Sequence, residues 1–88
     1  MRRAFANRVD ATEKALVAYA KQIGFGYAKV GLDWDGDLFL GLRVIPVEWK
    51  SPGGTTKPSQ LRLIAAGFPL RFISRTEQLD ALKSEISR

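Results

Sequence analysis

At 88 residues the chain holds one domain with a small core, and its 45% hydrophobic and 26% charged residues exclude disorder as the whole description. It has neither cysteine nor histidine, which excludes disulfides, thiolate metal sites and every Ser–His or Cys–His arrangement, leaving carboxylates, lysine, tyrosine or metal-bound water for any chemistry. A net charge of +5 attracts polyanions, of which nucleic acid is the commonest, and no apolar run approaches the ~20 residues of a membrane span. In chain order, residues 1–9 carry Arg2, Arg3 and Arg8 without clear periodicity and read as a loose basic arm with no apolar stretch behind it, so no secretory signal is expected and a cytoplasmic location is. Asp10 or Thr12 caps a helix to about Ile23, with Leu16, Val17, Ala20 and Ile23 on one face and Gly24 and Gly26 ending it.

Tyr27 to Val30 reads as a short strand and Gly31 to Gly36 as a loop carrying Asp33 and Asp35. Asp37 to Leu42 and Val44 to Trp49 are two further strands, joined so closely around Arg43 that only a tight antiparallel turn fits. Ser51-Pro52-Gly53-Gly54-Thr55-Thr56 is a loop, and Pro58 suits the first turn of a helix that runs to about Ala66 and is closed by Gly67. Leu70 to Ile73 is a fourth strand. Ser74 and Glu77 then fit a capping box for a last helix that buries Leu79, Leu82 and Ile86. The order α-β-β-β-α-β-α predicts an α/β (α+β) domain over residues 10–88, with helices on either side of a small mixed sheet.

Three residues concentrate the chemistry. Alternation along a strand points Glu48 and Lys50 to one face, and a hairpin brings Asp37 near Glu48 on the neighbouring strand. Two carboxylates so placed repel unless a cation joins them, and Mg²⁺ favours one or two carboxylates with waters and phosphate oxygens. On this reading Lys50 orients an attacking water or offsets phosphate charge. Glu-x-Lys alone is a weak signal, better explained on its own by a Glu and a Lys pairing on an exposed strand face. Asp33 and Asp35 add possible ligands but read first as loop formers. Trp49 alternates away from Glu48 into the core, with its backbone carbonyl left to reach a metal. Trp34 either stacks on a base or covers the core.

The context sharpens the pattern. Gly36-Asp37-Leu38 precedes Val47-Glu48-Trp49-Lys50-Ser51-Pro52-Gly53, followed by Lys57-Pro58-Ser59-Gln60. Together with Arg8-Val9-Asp10-Ala11 and Ser74-Arg75-Thr76-Glu77-Gln78-Leu79, these resemble the stand-alone phage and bacterial VRR-NUC nucleases of the PD-(D/E)XK superfamily, from about Arg8 to Leu82. The resemblance implies a restriction-endonuclease-like core and a Mg²⁺- or Mn²⁺-dependent endodeoxyribonuclease. It implies that Asp37 and Glu48 bind metal, that Lys50 is catalytic, and that Gln60 and an acid on the first helix, here Glu13, support the site. It further implies a homodimer acting on branched DNA such as Holliday junctions, in a bacterial or phage-infected cell. A nucleic-acid-binding module that keeps the fold without cleavage is the alternative. Pro46 departs from the pattern, and in a central strand it predicts a bulge or an unpaired stretch beside Glu48. Lys57 stands where relatives often place a Thr cap, with Thr55 or Thr56 left to compensate.

Overall fold

A computed structural model describes residues 2–51 and 53–87, with side chains described from Ala11 onward. Among these residues three helices and four strands follow the expected order: α1 (Arg2–Gln22), β1 (Gly26–Lys29), β2 (Gly36–Leu40), β3 (Arg43–Trp49), α2 (Pro58–Ala65), β4 (Arg71–Ile73) and α3 (Thr76–Ile86). The sheet is mixed and runs β1-β2-β3-β4. The first three strands are antiparallel neighbours, and β4 lies parallel to β3. A parallel step needs a crossover, and α2 supplies it.

The core lies on the sheet face that carries the odd positions of β3. Ile45, Val47 and Trp49 pack there with Leu38 of β2 and Ile73 of β4 against Leu16 and Ala20 of α1 and Leu79 and Leu82 of α3. Two polar ties lock α1 to α3: the Tyr19 hydroxyl donates to Asp80 at 2.7 Å, and the Lys83 ammonium donates to the Ile23 carbonyl just past the end of α1. A lysine there suits the negative end of the helix. The opposite face carries Asp37, Phe39, Val44, Pro46 and Glu48, and α2, which buries only Gln60, attaches on that side. Phe39 and Val44 are paired across the hairpin and stay exposed.

Several local expectations change, and the turn expected around Arg43 falls instead at Gly41 and Leu42, so β2 ends at Leu40 and β3 begins at Arg43. The helix begins at Arg2, so the backbone of the expected arm is the first two turns of α1; neither Pro nor Gly interrupts residues 2–22 to stop it. The roles of Arg2, Arg3 and Arg8 fall outside the described side chains. Pro46 creates no bulge, because β3 pairs with β2 in unbroken register through it, opposite Asp37. The Lys50 amide bonds Ile73 of β4, so even positions of β3 aim their amides at β4. Pairing with β4 begins only at Val47, so the missing amide at Pro46 faces a stretch that has no strand to meet. Finally, α3 starts one residue later than the Ser74–Glu77 box predicts. Gln78 is the capping side chain, accepting from the Ser74 and Arg75 amides at 2.7 and 3.0 Å. Gln60 does the same for α2, accepting from the Lys57 amide at 3.3 Å, where Thr55 or Thr56 was expected to compensate.

Candidate functional site

The candidate site forms where β2 begins and β3 ends. Gly36 faces Val47 and Asp37 faces Pro46, so extending the same register one step sets Asp35 against Glu48. Beyond Gly36 the ladder has no further strand to offer β3. The Asp35 carboxylate takes over, accepting the Trp49 amide at 2.8 Å. The Trp49 carbonyl leaves β3 from the same edge as its amide, towards Asp35. The Trp49 indole donates to the Tyr27 hydroxyl at 3.1 Å on the core side, and its ring tilts against that of Tyr27.

Glu48 is 8% exposed and, among the described residues, has no hydrogen-bond or ion-pair partner. Among the described residues no side-chain oxygen or nitrogen is both sealed from solvent and unpaired, so the Glu48 oxygens keep their opening. That opening is a cavity of about 230 Å³, lined by Glu48 with Glu13, Asp35, Trp49, Ser51 and Lys57. A carboxylate so withdrawn from water is costly unless something compensates it. Glu13 arrives from α1, held by an ion pair to Lys29 at 3.2 Å. That bond keeps the Lys29 ammonium protonated to higher pH than usual.

Asp37 lies on the same sheet face as Glu48, two register steps along, a diagonal of roughly 7–8 Å between backbones in such ladders. It does not line the cavity. The Trp34 indole donates to its carboxylate at 3.0 Å, and the Trp34 ring packs on Phe68, with centroids 4.8 Å apart. Lys50 projects to the α2 side. Its ammonium donates to the Thr55 carbonyl at 2.6 Å and, more weakly, to Gln60 at 3.5 Å, and lies 5.3 Å from the Phe72 ring centre. Gln60 is fully buried and joins three segments: Lys50, the Lys57 amide and, through its own amide, the Asp33 carbonyl at 2.8 Å.

The expected residues therefore fall into three linked groups. Glu13, Glu48 and Trp49 share the cavity, Lys50 and Gln60 are bonded to each other beside it, and Asp37 is held by Trp34. Asp35, read from sequence as a loop former, is the residue that joins Glu48 in the cavity. Strand parity could have found it, once the hairpin register was known. Among the described residues no three acidic, His or Cys side chains converge on one point. Two carboxylates with an unpartnered buried glutamate remain a donor set of the kind Mg²⁺ accepts, since that ion keeps several waters. Comparison of the chain with family models, with curated proteins and with solved structures finds no match.

Proposed function

We propose that the protein is a metal-dependent DNA endonuclease of the VRR-NUC type. The observation that carries this reading is Glu48, a carboxylate 8% exposed, without a partner among the described residues, lining a cavity that Asp35 and Glu13 also line. Glu48 is the ligand to which the site is built. Asp35, just before β2, or Asp37 within it supplies the second carboxylate, and the Trp49 carbonyl is a further oxygen on the same edge as the Asp35 contact. A bound Mg²⁺ or Mn²⁺ would lower the pKa of a water and offset charge on the phosphate. Lys50, steadied by Gln60 and Thr55, presents a positive charge next to that space for the phosphate or the attacking water. The dispersed lysines and arginines behind the net charge of +5 hold the DNA backbone. The exposed pair Phe39 and Val44 supports a homodimer, which in turn would suit a two-fold branched substrate such as a Holliday junction.

A second reading, a binding module without cleavage, is favoured by one observation: the Lys50 ammonium is engaged by Thr55 and Gln60 outside the cavity that holds Glu48. One experiment separates the two. The protein is incubated with labelled branched, linear and single-stranded DNA in Mg²⁺, Mn²⁺ or EDTA. The nuclease reading expects cuts with metal and none in EDTA. Binding without cuts under every metal leaves the second reading standing.

A further inference from the structure

A second and larger concavity, about 790 Å³, lies between α1 and the edge strand β1. Lys14, Lys21, Lys29 and Ala18 on it are exposed, and the half-buried Val17 and Tyr27 form its floor. Lys14 and Lys21 are exposed and have no ion-pair partner among the described residues. They stand seven residues apart on one stripe of α1, a rise of about 10.5 Å. Glu13 lines both this groove and the cavity of Glu48, so the two are neighbours. Glu13 is paired with Lys29 where the two meet, so Lys14 and Lys21 are the groove lysines without an ion-pair partner among the described residues. A phosphate chain would bind at these two lysines unaided and reach the carboxylates only with a cation between them.

We propose that this groove is the track of a single DNA strand, with Lys14 and Lys21 on its phosphates and Tyr27 beneath its bases. The apolar floor decides for a single strand over a duplex. A duplex keeps its bases stacked inside and would offer this floor nothing, whereas unpaired bases stack on an aromatic ring between basic walls. Only the direction of the strand, towards Glu48, rests on the nuclease reading; strand binding itself is independent of cleavage.

The test is binding of a labelled oligothymidine and of a duplex of equal length, in EDTA, over a range of salt. Both lysines are exposed on a helix and alanine is the better helix former, so the double variant Lys14→Ala, Lys21→Ala should fold, which circular dichroism checks. Each lost phosphate contact lowers the salt slope for a single strand by about 0.7, so the pair should lower it by about 1.4 and weaken binding roughly 25-fold at 0.1 M salt relative to 1 M. A benzophenone cross-linker in place of Ala18 should capture the strand, and the same group in place of Leu61 on α2 should not. An unchanged slope, capture from Leu61 in place of Ala18, duplex binding more impaired than single-strand binding, or no strand binding at all overturns the proposal. Normal cleavage with an unchanged slope would sink the groove and leave the nuclease reading intact. A lowered slope with no cleavage under any metal would do the reverse.

Discussion

Glu48 lies where a protein built for stability alone would place an apolar or paired residue. An unpartnered carboxylate withdrawn from water costs free energy that a neutral amide of the same shape avoids. Glu48→Gln should therefore stabilise the metal-free protein by about 1 kcal/mol, a rise in melting temperature of roughly 4–8 °C for a domain of this size. The same change should abolish the stabilisation that Mg²⁺ gives the wild type, about 2.7 kcal/mol at a hundred-fold excess over Kd. Thermal melts of both proteins in EDTA and in Mg²⁺ check the two signs together, and a Glu48→Gln protein less stable than wild type in EDTA would deny the site its ligand. Lys50 makes a different prediction. Its charge should matter where charge develops on the phosphate, so Lys50→Ala should lose on the order of 10²-fold in cleavage while binding, measured with Ca²⁺ in place of Mg²⁺, stays nearly intact. A near wild-type cutting rate would reduce Lys50 to a tether for the Thr55 loop. Glu48 and Lys50 were legible in the sequence because alternation is a local property. Asp35 was not, since its place opposite Glu48 depends on the register of a hairpin two strands long.

At the scale of elements, Gly36 shows how a single small residue sets the site. A Cβ there would come within 2.5 Å of the Tyr27 hydroxyl and 2.6 Å of the Ala28 carbonyl oxygen. The Tyr27 side chain can rotate, but the β1 backbone cannot yield without disturbing the ladder. Gly36→Ala should thus cost about 1–3 kcal/mol, as overpacking does, and should loosen the Tyr27–Trp49 contact next to the cavity. Gly26 offers the contrast. Its added Cβ would meet the ring of Phe39, an exposed side chain free to swing away, so Gly26→Ala should cost less. Denaturant melts give the ranking, and near-ultraviolet circular dichroism should change for Gly36→Ala more than for Gly26→Ala; the reverse order would show that Phe39, and not Tyr27, is the fixed neighbour. The order of the elements was legible because glycines and prolines punctuate it, at Gly24, Gly31, Pro58 and Gly67, whereas Gly41 was read as part of a strand and the turn placed around Arg43. Gly41 adopts φ +61° at the first of two turn positions, where a tight hairpin calls for glycine. The start of α1 was not legible, because positive charge near a terminus looks alike in a helix and in a loose arm. Of the two outcomes expected at Pro46, the bulge is absent and the unpaired stretch lies on the β4 side, because the cost of a missing amide depends on how far β4 reaches, which β3 itself does not encode.

Over the whole molecule, three groups that tie the layers together hold their protons more firmly than usual, and all act in one direction. The Tyr19 hydroxyl, donating to Asp80 across α1 and α3, is raised above its ordinary value of 10.0, chiefly by that hydrogen bond. Tyr27 is raised from the same value, chiefly by burial, although its bond from the Trp49 indole works the other way. Lys29 is raised from 10.5, chiefly by its bond to Glu13. Above about pH 10 the unfolded chain gives up these protons before the folded one does. The folded state then binds more protons, so stability falls as pH rises, and the contribution of these groups, fully present below their ordinary values, is lost as the pH passes through the raised ones. Tyrosine absorbance should therefore show phenolate appearing in the folded protein at higher pH than in urea. The melting temperature should begin to fall near pH 10 and continue downward. Tyr27→Phe should flatten the fall only in part, because Tyr19 and Lys29 remain. A phenolate titration identical in folded and unfolded protein would mean that neither tyrosine is engaged as described, and that α1 is not held to α3 through Asp80.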